Sequence, residues 1–175
     1  MMLRSFLTMA ALMLAGGLYA HRASAETAAP VAAGQKKVID QEKSIELRGA
    51  GVQVYTCEKS PSGFGWRFDA PEAMLLDAAG AKFGKHFAGP TWQARDGSTV
   101  VGEVVASNPA PQPGSIPWLL LRAKSHSGSG TFASVGYIAR VQTEGGLAPA
   151  SGCDATHTGA ERRVPYGASY VFFSN

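Results

Sequence analysis

Thr91-Trp92-Gln93-Ala94-Arg95-Asp96-Gly97-Ser98-Thr99-Val100-Val101-Gly102-Glu103-Val104-Val105-Ala106-Ser107 reads as two strands joined by a tight turn. Asp-Gly is a favoured pair for such turns, because the backbone there needs positive φ and glycine adopts it without a steric cost. Thr91–Arg95 and Thr99–Ser107 therefore form a hairpin around Asp96-Gly97.

The same grammar continues on both sides. Downstream, Asn108 to Gly114 is a proline-rich loop that cannot join a central strand. Ile116 to Ala123 contains Trp118-Leu119-Leu120-Leu121, a run apolar enough to be buried on both faces. Phe132 to Thr143 alternates, with Val135, Tyr137, Ala139 and Val141 on one face. Val164 to Phe173 closes the chain, and Tyr166, Tyr170 and Phe172 share a face. Upstream, Val52 to Cys57 alternates, and Gly65 to Phe68 forms a strand ended by Asp69-Ala70-Pro71. Lys82 to Ala88 is stopped by Gly89-Pro90. Pro71 to Leu76 suits a helical turn or a strand, and Val38 to Leu47 a short helix or an edge strand. About seven to nine strands with frequent Gly/Pro punctuation predict an all-β fold, an antiparallel β-sandwich or barrel.

The N-terminus reads differently. Met1 to Arg4 is short and positive, Phe6 to Ala20 is apolar, and Ala23-Ser24-Ala25 is a small-x-small cleavage site. That three-part layout predicts a signal peptide over residues 1–25, cut after Ala25 or alternatively after Ala20. Residues 26–37 read as a flexible leader and 38–175 as a single β-rich domain. The expected location is periplasmic or secreted, with no stable membrane span after cleavage.

An exported chain meets an oxidising compartment. The two cysteines, Cys57 and Cys153, permit one intramolecular pairing. It would close a loop of nearly a hundred residues, worth about 4–5 kcal/mol by chain entropy. Export also alters the charge. Arg4 and Arg22 leave with the signal, so 14 of the 16 basic residues remain against 13 acidic ones. No basic stripe is present, and nucleic acid is excluded as an expected partner.

The motifs for chemistry are weak. Gly128-Ser129-Gly130-Thr131-Phe132-Ala133 fits a dinucleotide-binding string, but the residues after it read as a strand where a helix N-terminus is required. There is no nucleophile elbow. His86, His126 and His157 show no metal-ligand spacing. His86 stands out, between aromatics and ahead of Gly89-Pro90. Glu103 shares a face with Val101 and Val105, and a carboxylate there implies a basic partner, Arg122 or Arg140. Trp66, Trp92 and Trp118 lie near strand starts, where aromatics line a cleft or simply pack a core.

Taken together, His86-Phe87-Ala88-Gly89-Pro90-Thr91-Trp92, Ile116-Pro117-Trp118-Leu119-Leu120-Leu121 and Tyr137 to Pro149 make a distinctive set. With Gly152-Cys153-Asp154 and Val164-Pro165-Tyr166, the chain resembles the family known as domain of unknown function thirty-four fifty-five, found in secreted bacterial and fungal proteins. Some fungal members carry a malate-dehydrogenase-like label, and the missing nucleotide fingerprint argues against taking it literally. The resemblance implies no established activity.

These readings favour an exported β-domain that binds a small molecule or an envelope partner, without catalysis and without a cofactor. The binding site is assigned to His86, Trp92, Trp118 and Arg140, beside the Gly-Pro and Ile-Pro breaks where loops gather. Alanine at His86 and Trp92 is expected to abolish binding and spare stability. Two other classes stay open: a metal-dependent or hydrolytic enzyme using His86 with Asp96 or Glu103, and a structural or stress-related envelope protein.

Overall fold

The computed structural model describes residues 43–174. The predicted signal peptide and leader lie outside the described residues. Eight antiparallel strands follow one another in sequence: β1 (Lys43–Ser60), β2 (Gly63–Leu76), β3 (Lys82–Phe87), β4 (Thr91–Ala94), β5 (Thr99–Asn108), β6 (Trp118–Ser127), β7 (Val135–Gly145) and β8 (Glu161–Ser174). Each pairs with the next, and β8 returns to pair with β1. The result is a closed barrel, the second of the two predicted all-β architectures.

The hairpin at Asp96-Gly97 forms as read. Gly97 sits at φ 86°, its N–H donates to the Ala94 carbonyl at 3.1 Å, and Ala94 N–H donates to Ser98 at 3.0 Å. Asp96 also ties this turn to the loop between β6 and β7. It accepts from Ser98 N–H (2.8 Å) and hydroxyl (2.6 Å), and from Thr131 N–H (2.8 Å) and hydroxyl (2.7 Å). These four donors hold the Asp96 carboxyl well below the usual carboxylate range. Phe132, next to Thr131, is fully buried and plugs this end of the barrel against Phe83 and Phe172. The glycine string 128–133 is thus a packing device. Gly130 leaves room for the Asp96 carboxylate, and strand β7 follows directly.

Several segments differ from their sequence reading. Val38–Leu47 suggested a short helix or an edge strand, yet from Lys43 onward it belongs to β1, which pairs on both sides. Pro71 does not end a strand but sits within β2. Beside it, β2 pairs with β3 only over Ala73–Leu76, so the proline lies where no N–H is required on that side. In β7 Tyr137, Ala139 and Val141 are partly buried, whereas Val135, read on the same face, is fully buried together with Ile138. The register shifts between Val135 and Tyr137, and this bulge breaks the simple alternation.

Inward residues make one core, including Leu47, Leu75, Trp92, Val100, Leu121 and Ile138, with Tyr166, Tyr170 and Phe172 along β8. On β6, Leu120 and Leu121 point to opposite faces and both are buried. Two glycines make space for the largest rings. A Cβ on Gly49 would stand 2.5 Å from the Tyr170 ring, and one on Gly102 would stand 3.1 Å from Trp92.

Cys57 and Cys153 form the disulfide, with Cα atoms 5.3 Å apart. It fastens the long β1–β2 hairpin to the loop before β8, where Cys57 also exchanges backbone hydrogen bonds with Ala160 and Gly159. The bridge closes a separation of 96 residues, so replacing both cysteines by serine is expected to destabilise the domain by about 4–5 kcal/mol in the chain-entropy account. Urea unfolding of the oxidised protein and of the double variant measures this. Equal midpoints would show that the bridge adds nothing.

Candidate functional site

The end of the barrel opposite Phe132 is open. A cavity of about 260 Å³ lies there. Its deep wall is His86, Trp92, Leu121, Arg140 and Tyr170. Phe68, Asp69 and Val104 stand among its outer residues, with Leu119 on β6 and Gly89-Pro90 in the β3–β4 turn.

Three of the four residues assigned from sequence therefore meet at one cavity. Register explains how. His86 on β3 is cross-strand from Trp92 on β4, and Leu119 on β6 is cross-strand from Arg140 on β7. Trp118 does not join them. It precedes Leu119 on β6, so alternation turns it to the other face. Sequence reasoning missed Phe68, Asp69, Leu119, Leu121 and Tyr170. The shared face of Tyr166 and Tyr170 was visible, but nothing in the sequence marked it as the cavity side.

His86 is 3% exposed and Trp92 1%. Their rings stack with centroids 4.4 Å apart and planes 10° apart, and the edge of Tyr170 meets His86 at 5.0 Å and Trp92 at 5.5 Å. Both residues are core as well as wall. Alanine at either position consequently costs stability too, which corrects the expectation of a loss confined to binding. His86 Nδ1–H donates to the Thr91 carbonyl oxygen at 2.8 Å, which fixes the proton on that nitrogen. Burial, together with the Arg140 cation, pushes His86 down to about 4, so the ring is neutral at physiological pH.

Arg140 is largely enclosed, and its Nε and Nη2 donate to the Pro117 carbonyl oxygen at 3.2 and 2.8 Å. Tyr170, Tyr166 and Tyr55 surround it. Burial raises all three phenols above their ordinary value, so none supplies a negative charge. Tyr55 donates to the Gly146 carbonyl at 2.6 Å, and the Tyr166 and Tyr170 hydroxyls meet at 3.1 Å. Asp69 pairs with Arg67 at 2.5 Å and accepts from the Thr56 hydroxyl. The buried Trp92 Nε1–H has no hydrogen-bond partner.

The structure does not bring His86 together with Asp96 or Glu103. Asp96 is committed to the turn at the plugged end. Glu103 forms an ion pair with Arg122, the first of the two partners expected for it, and neither residue lines the cavity. Among the described residues, no group of three or more His, Cys, Asp or Glu side chains is arranged to hold a metal ion.

The chain matches a family model over residues 39–174, that of the family described as "Protein of unknown function (DUF3455)". The match spans most of the chain and covers every strand, and the protein belongs to this family. No curated protein and no solved structure gives a significant match.

The neutral His86 gives the fold a pH signature. The unfolded chain takes up a proton near pH 6.5, whereas the native site resists until about pH 4. This contribution to stability is complete above pH 6.5 and is lost as pH falls towards 4. It amounts to about 3 kcal/mol. Chemical denaturation at a series of pH values should show that decline in the native sequence and a flatter profile in His86→Gln. Parallel profiles would mean that His86 is protonated freely in the folded state.

Proposed function

We propose that this protein is an exported binding domain that holds one small molecule in the open mouth of its barrel. The observation carrying this reading is the cavity itself, with His86, Trp92 and Arg140 converging on it from three strands. An eight-stranded barrel has an interior that side chains just fill, or that holds a single small ligand where they leave space. Here the aromatic core fills one end and leaves the other open. A mostly apolar lining with a few polar groups is the usual composition of a small-molecule site.

Export is the second part of the reading. The signal-like sequence over residues 1–25 supports it, and the Cys57–Cys153 bridge is compatible with an extracellular or periplasmic location. No helix among the described residues is long and apolar enough to cross a membrane, a statement that does not bear on strands.

Native mass spectrometry of the protein purified from a periplasmic extract tests both parts. The mature chain should begin at Glu26, lack two hydrogens through the disulfide, and carry one small molecule at fixed stoichiometry. Val104 stands at the rim and is 53% exposed, so Val104→Trp should block the mouth and remove the adduct without lowering the melting temperature. An adduct-free native protein would favour a structural or partner-binding role instead.

A further inference from the structure

We infer that the barrel mouth takes a small organic monoanion, with a carboxylate held by Arg140 and an apolar body about one ring in size. This rests on the reading of the cavity as a ligand site and specifies its chemistry.

The charge balance points to an anion. Arginine does not shed its proton in proteins, so Arg140 brings a full positive charge to the cavity wall. Enclosing a cation is costly unless an opposite charge and hydrogen bonds compensate it. Among the exposed arginines, Arg67, Arg122 and Arg163 each sit on carboxylates. Arg140 is more enclosed than any of these, yet none of the ion pairs among the described residues includes it. Its neighbours are the Pro117 carbonyl and the neutral residues Tyr55, Tyr166, Tyr170 and His86. Trp92, in the same wall, has a buried Nε1–H without a hydrogen-bond partner. A carboxylate supplies the missing charge through charge-assisted hydrogen bonds, which are stronger than neutral ones.

The remaining lining sets the rest of the ligand. Pro90, Val104, Leu119 and Leu121 offer no polar side-chain atoms, which suits an apolar body. About 260 Å³ falls below the ~300–1,000 Å³ of pockets for drug-sized molecules, which limits that body to roughly one ring. Asp69 lines the cavity as well, already paired with Arg67, and would repel a second negative charge. One cation within and one carboxylate near the rim select a monoanion over a dianion.

Benzoate and benzamide make a matched pair of probes, nearly equal in shape and different in charge. Titrations of the ¹⁵N-labelled, oxidised protein would follow the tryptophan indole N–H signals. Benzoate should shift the Trp92 signal saturably and leave that of Trp66, whose N–H is bonded to the Ser151 carbonyl. Benzamide should bind at least about tenfold more weakly. Arg140→Gln should erase that preference, and Arg140→Lys should retain part of it. The comparison of the two probes on the native protein stands even if both variants fold poorly. Equal binding of the two probes would overturn the anionic inference and leave the ligand site intact. No response of Trp92 to benzoate would also overturn it, and a neutral adduct in the native mass spectrum would then preserve the binding reading alone.

Discussion

Pairing of β8 back onto β1 is the constraint on which the rest of the structure depends. It removes both sheet edges and fixes the ring at eight strands. A ring of that size has an interior that side chains can just fill. Inward positions must then be apolar and well matched in volume, as Phe172, Tyr170, Trp92 and Phe132 are around their glycine neighbours. Filling is uneven along the axis. Phe132 seals one end, pinned by the Asp96 turn. Towards the other end β2 parts from β3 at Ala73, so the wall opens and Phe68, Asp69 and Pro71 become a rim. The cavity follows from the way the ring closes and the way β2 leaves it.

Much of this was legible in the sequence, and the reasons are local. The Asp96-Gly97 turn is specified by two residues and their flanks. The disulfide followed from there being two cysteines in a chain that reads as exported. On β8, strict alternation put Tyr166, Tyr170 and Phe172 on one face, and that face is the core. The apolar run on β6 predicted burial on both faces, and Leu120 and Leu121 bear it out. Alternation failed where the backbone itself is irregular. One bulge in β7 separates Val135 from the Tyr137 face, so that Val135 and Ile138 both reach the core. A bulge leaves no reliable mark in side-chain pattern.

The site was legible only in part, for a different reason. His86, Trp92 and Arg140 could be singled out as polar or aromatic residues beside chain breaks. Their meeting at one cavity depends on cross-strand register between β3 and β4 and between β6 and β7, which sequence spacing does not encode. The same logic does not bring Trp118 to the cavity. It is one residue from Leu119, and in a strand one residue is the difference between the two faces. Being near the right break is not enough when the period is two.

The Ile116-Pro117 break has a physical role that accounts for its place beside the site. Ile116 N–H donates to the Gly145 carbonyl at 2.9 Å, and its own carbonyl accepts from the buried Thr143 hydroxyl at 2.6 Å. Ser115 adds a hydrogen bond to Gly145 N–H at 3.2 Å, and Gly146 accepts from Tyr55. The segment is thereby clamped to the end of β7. Its next carbonyl, that of Pro117, is the group that receives the Arg140 guanidinium. An arginine side chain loses considerable rotamer freedom when it is ordered. Here two hydrogen bonds to a fixed backbone oxygen already order the guanidinium. Under the proposed function, a cation preset in this way would lose little further freedom on binding, which is the condition under which a small ligand with few atoms could still be held.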